Sequence, residues 1–485
     1  MRRTSLRFPT VALASHARAP LPIGADTPES TTEGRAGPFR RRRAAVGAWV
    51  AAAVLLVSTA AHAQRGAGEP VDAAMRAKMV DRVSAALNET YVFPEVAKKM
   101  EASLRKKLKA GAYDKVANSA ELAEAFTRDL QEVSKDKHLS VGYAPSKPPG
   151  LGSEGPPSPE VRENIRRELA ARNFGFEKVE RLAGNVGYLD LRGFMGAELA
   201  GETAIASMGF LANSDALIID LRRNGGGHPS MVQLISSYFF DEPQHLNSFY
   251  IRKGNITEQF WTSAHVAGKR MTQVPIYILT SERTFSAAEE FTYNLKNLKR
   301  ATVVGETTGG GAHPVRAHFL EDVRLLVRVP FGRAVNPITG TNWEGTGVTP
   351  DVQVPADKAL ETAHQEALKK LRDGARDDAR KQQFSWALQG VEARARPVTL
   401  TAEVLKSFAG TYGPSTLVYE NGALFYEWRK GSPRTRVVPM TADTLMLDGL
   451  DFARLRVEKD ASGRVTGLST LFDDGNVDKA PRNGG

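Results

Sequence analysis

The chain has 485 residues and no cysteine, which excludes a disulfide framework, a thiol nucleophile and a cysteine-ligated metal site. Its formal net charge of +10 is concentrated near the N-terminus, because residues 1–63 hold nine Arg and only three acidic residues. The rest of the chain has no long basic run, so nucleic-acid binding has little support.

The N-terminal segment has the pattern of an export signal. The sequence "RRRR" at 40–43 is followed by the apolar run "AAVGAWVAAAVLLVSTA" and then by "AHAQ". A charged region, an apolar core and small residues at Ala61 and Ala63 are typical of a secretory signal peptide cleaved before Gln64. We therefore expect residues 1–63 to be removed and the mature protein to be periplasmic or extracellular, without a stable membrane span. Two alternatives stay open: a retained membrane anchor, and a translation start closer to the arginines.

Residues 70–145 are predicted to form a small helical domain. Apolar residues recur every four positions in three stretches between residues 71 and 133, as expected of helices with one buried face. The alternating sequence "KDKHLSVGY" that follows predicts a strand. The Pro/Gly-rich stretch 146–158 is interpreted as an exposed linker.

Residues 159–375 are predicted to form one α/β domain. The runs "ALIIDL", "VPIYILT" and "RATVVGE" are short and apolar, which is typical of buried strands, and helical patterns alternate with them.

The charged segment "RDGARDDARKQQ" separates this domain from residues 398–480. Short strand patterns alternate there with turn signals, which predicts a small antiparallel β domain. It has no catalytic pattern, so we interpret it as an accessory or binding module.

A glycine-rich loop, "DLRRNGGG" at 220–227, follows the first buried strand. Successive glycines allow a tight turn whose N–H groups can form an anion-binding concavity. The alternative is a plain strand-to-helix connection. A phosphate loop is not supported, because the characteristic lysine and glycine spacing are missing.

Ser286 lies in "SERTFSAAEE", between a predicted strand and a predicted helix. Ser286 and Glu289 have the spacing of a capping box, so the serine could simply begin the helix. It could also be a nucleophile, because the N–H of Ala287 at a helix start can stabilise an oxyanion. Glu290 is interpreted as an acid that favours the helix N-terminus.

Two further residues could complete a catalytic set. His138 in "KDKHLSVGY" could act as general base, and Glu344 in "NWEGTG" could orient its imidazole. Each is weak evidence alone: a histidine is more often structural, and a loop acid is more often solvated. His228 and His313, which flank glycine loops, could line the cleft, but each is interpreted as a polar loop residue. No ligand spacing indicates a metal site, and no cofactor is expected.

Three stretches together resemble a known family: "LIIDLRRNGGGHPSMVQLISSYFF", "YILTSERTFSAAEEFTYNLKNLKRATVVGETTGGGAHP" and "VNPITGTNWEGTGVTPDVQV". They resemble the tail-specific (C-terminal-processing) and tricorn-core serine peptidases, and most of all the branch related to interphotoreceptor retinoid-binding protein. The N-terminal helical region resembles that branch too. The resemblance spans about residues 75–370 and implies an α/β core of ββα units in a crotonase-like spiral, with the helical domain beside it.

The resemblance also implies site residues. Ser286 matches the nucleophile, Gly226 or Gly227 and Ala287 match the oxyanion-hole amides, and His138 and Glu344 match the other members of a serine–histidine–glutamate arrangement. The general-base lysine of the C-terminal-processing branch is replaced by Gly311, so the histidine becomes necessary. The PDZ domain of many members has no counterpart in the sequence.

These observations predict an exported serine endopeptidase that cleaves peptides or unfolded protein segments. The alternative is a non-catalytic binder of apolar ligands such as fatty acids or retinoids. The sequence does not indicate an oligomeric state.

Overall fold

A computed structural model describes residues 68–148, 151 and 158–484; the predicted signal peptide and part of the predicted linker lie outside the described residues. The helices are α1 (Ala73–Thr90), α2 (Pro94–Lys109), α3 (Ser119–Ser134), α4 (Pro159–Ala170), α5 (Ala197–Leu211), α6 (Pro229–Ser236), α7 (Ala287–Asn297), α8 (Ala359–Gly374), α9 (Asp378–Ala395) and α10 (Ala402–Phe408). Within these described ranges, no helix is both long and apolar enough to cross a bilayer.

The strands follow in chain order. The first twelve are β1 (Ser140–Tyr143), β2 (Phe176–Leu182), β3 (Val186–Leu191), β4 (Ala216–Asp220), β5 (His245–Ile251), β6 (Ile256–Trp261), β7 (Ile276–Thr280), β8 (Ala301–Gly305), β9 (Val315–Leu320), β10 (Leu325–Pro330), β11 (Gly332–Val335) and β12 (Val352–Gln353). The last eight are β13 (Gly410–Tyr412), β14 (Ser415–Glu420), β15 (Ala423–Glu427), β16 (Thr435–Pro439), β17 (Thr444–Leu447), β18 (Leu450–Lys459), β19 (Val465–Phe472) and β20 (Val477–Pro481).

The N-terminal helices share a core with a three-stranded sheet of order β1-β10-β9. Their buried stripes pack against apolar residues of β10 such as Val327. Strand β1 is shorter than the sequence pattern predicts, because Asp136 accepts a hydrogen bond from the His138 N–H at 3.0 Å and closes a turn before the strand. This turn fixes the position of His138 relative to the sheet.

The central sheet has six strands in the order β12-β8-β7-β4-β3-β2 and is parallel except for the β2–β3 hairpin. Helices α5, α6 and α7 contribute to the core on one face, and α8 and α9 to the core on the other. Strands β4 and β7 are neighbours, with Asp220 opposite Leu279. Because neighbouring parallel strands end at the same sheet edge, the glycine loop after β4 and the Ser286 segment after β7 lie together.

The charged segment after α8 is not an open separator, because helix α9 begins within it. Phe384, Leu388 and Val391 of α9 are buried in one core cluster with Leu368 of α8. Their spacing of three and four residues gives α9 one apolar face, and the many charges of the segment conceal that face in the sequence.

A second three-stranded sheet, of order β11-β5-β6, leaves β6 as an edge strand. Phe249 of β5 and Ala334 of β11 form a small core with Trp343. This sheet forms one wall beside the Ser286 segment.

The C-terminal β domain is an antiparallel meander in which β13 to β20 pair in chain order. A β-bridge between Tyr412 and Arg482 joins its first and last strands, and the interior is filled by residues such as Phe408 and Leu455. The mixed α/β class and the C-terminal antiparallel domain predicted from the sequence are therefore confirmed.

Candidate active site

Ser286 occupies an uncommon backbone conformation at the start of α7. Its φ is 56° and its ψ is −122°, a combination that L-residues rarely adopt and that stores about 1–3 kcal/mol of strain. The Ser286 N–H donates to Glu289 Oε2 at 2.8 Å, but the hydroxyl makes no cap hydrogen bond of good geometry. The capping box is thus closed firmly by the Glu289 carboxylate, whereas the contact of the Glu289 N–H with the Ser286 hydroxyl is weak and leaves the hydroxyl able to take another partner.

Glu289 ties the Ser286 turn to the loop after β8. Its buried carboxylate accepts hydrogen bonds from the Thr308 hydroxyl at 2.5 Å and from the N–H groups of Gly310 and Gly311 at 2.6 and 2.9 Å. These bonds, together with the one from Ser286, satisfy a carboxylate that would otherwise be costly to bury. The result is a fixed distance between the Ser286 turn and the 308–311 loop.

The glycine loop approaches the Ser286 turn so closely that side chains are excluded. A Cβ on Gly226 would lie 2.6 Å from the Ser286 Cβ, and one on Gly227 would lie 2.0 Å from the Phe194 oxygen. The N–H of Gly226 donates to Asn224 Oδ1 at 2.8 Å and is therefore engaged. Gly227 instead lines the same cavity as Ser286 and Ala287, which makes it the better placed of the two predicted glycines.

His138 stacks on Phe285, the residue directly before Ser286. The ring centroids are 4.6 Å apart, and the Nδ1 of His138 is buried without a hydrogen bond. Burial lowers the pKa of His138 to about 4, so the ring is neutral at pH 7. Although both residues are described, no hydrogen bond joins His138 to Ser286 in this structure; both line one cavity of about 770 Å³.

Glu344 lies on the other side of His138 and does not line the cavity. Its Oε2 accepts hydrogen bonds from the N–H groups of Ala312 and His313 at 2.5 and 3.2 Å, and its Oε1 is buried without a partner. Burial, with a contribution from the charge of Asp136, raises the pKa of Glu344 to about 7. The sequence-predicted His138 and Glu344 are thus brought together, each with one unpaired buried atom.

Two residues that were not predicted complete the cluster. His313 Nδ1 donates to Asp136 Oδ2 at 2.7 Å and lies 3.5 Å from Glu344 Oε2. Burial alone would lower the pKa of His313, but the hydrogen bond to Asp136 and the charges of Asp136 and Glu344 outweigh it and raise the pKa. His313 is therefore a buried site residue rather than the polar loop residue that the sequence suggested.

His228 lines the cavity but has a local structural role. Its Nδ1 accepts a hydrogen bond from the Ser230 N–H at 3.2 Å and caps helix α6. Arg222 and Asp220 form an ion pair beneath the glycine loop, and Arg222 also donates to the Ala356 carbonyl at 2.6 Å. Asp220 and Arg222 hold the glycine loop in place and do not line the cavity.

The ligand atoms of Asp136, His138 and Glu344 all lie within 4.8 Å of one another, which is close enough for a metal ion. Asp136, however, already accepts hydrogen bonds from His313, from the His138 N–H and from the Tyr91 hydroxyl. We therefore interpret this group as a hydrogen-bonded cluster.

Gly311 is the position at which the sequence lacks a lysine, and the structure gives a steric reason. A Cβ there would lie 2.3 Å from Phe285 Cζ and 2.6 Å from His138 Cε1. The His138 and Phe285 rings occupy the space that a side chain at 311 would need.

Gly311→Ala is expected to lower kcat/KM by about 10²-fold, because displacing a catalytic group by about 1 Å has that effect. Steady-state kinetics on a peptide substrate measure it, with Gly142→Ala as control, since a Cβ on Gly142 meets nothing within 4 Å. Equal kinetics for the two variants would contradict the placement of His138.

The chain is similar in sequence to known proteins. The model of peptidase family S41 matches residues 185–354, and a model described as the N-terminal domain of Peptidase_S41 in eukaryotic IRBP matches residues 73–169. The "Probable CtpA-like serine protease" of Staphylococcus aureus (strain bovine RF122 / ET3-1) is 30% identical over 233 residues, which are 47% of this chain and 44% of that protein. The protein of the same description from Staphylococcus haemolyticus (strain JCSC1435) is 29% identical over 139 residues, which are 29% of this chain and 27% of that protein.

Among solved structures, the photosystem II D1 C-terminal processing protease is similar with a TM-score of 0.38 and 14% identity, over 58% of this chain and 94% of that one. The chain spans less than half the length of the two curated relatives named above. The two family models nevertheless cover more than half of the chain, one on the helical region and one on the α/β core with the Ser286 turn. On that evidence the chain belongs to peptidase family S41.

Proposed function

We propose that this protein is an exported serine endopeptidase that cleaves peptides or unfolded protein segments. One observation carries the proposal: Ser286, strained at a helix start, lines the same cavity as the neutral ring of His138. A serine needs an adjacent base to act as a nucleophile, and a neutral histidine at its side supplies one.

In the proposed mechanism His138 takes the proton from the Ser286 hydroxyl as the oxygen attacks the scissile carbonyl. The N–H groups of Gly227 and Ala287 stabilise the oxyanion of the tetrahedral intermediate. His138 then gives its proton to the leaving amine, which leaves an acyl-serine. A water molecule, deprotonated by His138, hydrolyses the ester and restores the hydroxyl.

Glu344 would orient the imidazole and stabilise the imidazolium that forms. Support comes from the unpaired Nδ1 of His138 and the unpaired Oε1 of Glu344, two buried atoms that need partners. A hydrogen bond between them would satisfy both. Such bonds often tighten only when substrate binds.

Activity should depend on the ionisation of Glu344. The mechanism needs neutral His138 and ionised Glu344, and both states are populated above their respective pKa values of about 4 and about 7. Because the Glu344 value is the higher, kcat/KM should rise with pH through about 7. In Glu344→Gln this rise should disappear, and kcat/KM at high pH should fall by roughly 10²- to 10⁴-fold. A variant that keeps the same rise near pH 7 would assign it to another group.

The edge strand β6 is the proposed place for the substrate backbone. Gln259 and Phe260 of β6 line the cavity beside Ser286. An extended peptide can add to an exposed strand edge through main-chain hydrogen bonds, which favours unfolded segments as substrates.

The alternative of a non-catalytic binder is not favoured. A pure binder of apolar ligands has no need for a cluster of four ionisable side chains beside its cavity, here Asp136, His138, His313 and Glu344. The test compares both functions on mature protein beginning at Gln64. Hydrolysis of fluorescently labelled unfolded casein is expected. Saturable binding of a fluorescent fatty acid without any casein hydrolysis would contradict the proposal.

We also propose the domain bounds, the type of α/β core and the location of the mature protein. We place the α/β core at residues 159–375 as a crotonase-like spiral, with a helical domain at 70–145, a linker at 146–158 and the accessory domain at 398–480. We further propose cleavage of residues 1–63 and release to the periplasm or outside the cell, on the signal-like sequence alone.

A further inference from the structure

A second acid of helix α7 lies beneath the nucleophile. Glu290 is 2% exposed, lines the cavity that contains Ser286, and donates its N–H to the Ser286 carbonyl at 2.9 Å. Glu290 and Ser286 therefore face the same space. The sequence suggested only that Glu290 favours the helix start.

Glu290 differs from its neighbour Glu289, whose carboxylate accepts four hydrogen bonds. Within the described ranges no residue donates a hydrogen bond of good geometry to Glu290. Asn247 lies beside it, yet both polar atoms of the Asn247 amide are buried without a partner. Burial raises the pKa of Glu290 to about 8, and the neighbouring amide opposes this only in part. The amide of Asn247 acts on the Glu290 carboxyl, yet its own polar atoms lack a well-formed hydrogen bond, so this end of the cavity can accept a further polar group.

The walls of the cavity near Glu290 are apolar. Phe249, Phe260 and Trp343 line it, and Phe249 and Trp343 are almost fully buried. A cavity that combines aromatic walls with a buried acid suits a side chain with an aliphatic stem and a cationic tip. The ammonium or guanidinium group would donate hydrogen bonds to the Glu290 carboxylate and to the Asn247 oxygen, which has no donor in the structure.

The positive charges of the cavity lie elsewhere. Lys137 precedes His138, and Arg328 of β10 pairs with Ser140 of β1. Lys137 donates to the Gly309 carbonyl at 2.6 Å. Both cationic residues belong to the side of the cavity that carries His138, whereas Glu290 belongs to the helix that begins after Ser286. The positive charges and the acid therefore lie on different sides of the cavity.

We propose that Glu290 forms the floor of the subsite for the residue on the acyl side of the scissile bond and selects Lys or Arg there. This inference rests on the proposed function, because it names the substrate class of the same site. A cation brought to Glu290 would ionise its carboxyl and form a buried charge pair, and such pairs discriminate strongly between charged and neutral ligands.

The test uses three fluorogenic peptides that differ only at the acyl-side residue: lysine, norleucine, which keeps the stem without the charge, and glutamine. For the wild-type protein, kcat/KM for lysine should exceed that for norleucine by at least about 20-fold. Glu290→Gln should reduce this ratio to below about threefold. Glu258→Gln removes a second cavity-lining acid, on β6, and should leave the ratio unchanged.

Each other outcome overturns the inference. If the wild-type protein cleaved the norleucine or glutamine peptide as fast as the lysine peptide, the pocket would not select a cation. This comparison uses only the wild-type protein, so it does not depend on the folding of a variant. A ratio lost in Glu258→Gln but kept in Glu290→Gln would assign selection to β6. A small fluorophosphonate separates the two claims: labelling of Ser286 without a lysine preference overturns only the subsite, and no labelling overturns the peptidase as well.

Discussion

Ser286→Ala is expected to lower kcat for peptide hydrolysis by about 10⁴- to 10⁶-fold, the loss that follows removal of a serine nucleophile. The same variant should unfold at nearly the wild-type free energy, within about 0.5 kcal/mol, because the hydroxyl makes no cap hydrogen bond of good geometry. Hydrolysis assays and urea unfolding measure the two quantities on one preparation.

The combination of the two readouts distinguishes a nucleophile from a helix cap. Loss of a serine cap destabilises by about 1 kcal/mol and leaves chemistry untouched. Ser140→Ala is the matched control, because Ser140 also lines the cavity but belongs to strand β1. A Ser286→Ala protein that is destabilised yet still hydrolyses peptides would make Ser286 a cap.

His138→Gln is expected to lower kcat by about 10³-fold or more, since glutamine keeps the approximate size of the ring but cannot take the serine proton. The loss should be in kcat rather than in KM, because the imidazole acts in the transition state. Steady-state kinetics measured up to saturating concentrations of a peptide substrate separate kcat from KM.

His228→Asn is the control for this variant, because His228 also lines the cavity and asparagine is a good helix N-cap. We expect it to retain activity within about threefold. If His228→Asn were as inactive as His138→Gln, the general base would be wrongly assigned.

Local sequence patterns indicate which two loops meet at the Ser286 side of the candidate site. The glycine loop and Ser286 each follow a buried strand, and adjacent parallel strands bring such loops to one edge. A preference for one glycine was not predictable, because it depends on the Asn224 side chain taking the N–H of Gly226.

The histidine side of the site depends on contacts between distant parts of the chain. Asp136 and His313 are 177 positions apart in the sequence, so no local pattern indicates the hydrogen bond between them. The one available signal for Asp136 was its place two residues before His138, which produces the turn that shortens β1. The burial of Glu290 was not predictable for a similar reason, because it depends on elements packed against α7, among them strand β5, which carries Asn247.

Covalent labelling of the mature protein with a small fluorophosphonate, followed by intact-mass measurement and peptide mapping, tests directly whether Ser286 is the nucleophile. The serine oxygen would displace fluoride from phosphorus, adding one phosphonyl group per chain. We expect a single adduct on the peptide that contains Ser286, with none in Ser286→Ala or His138→Gln. No adduct on folded wild-type protein, or an adduct on another serine with Ser286 unmodified, would contradict it.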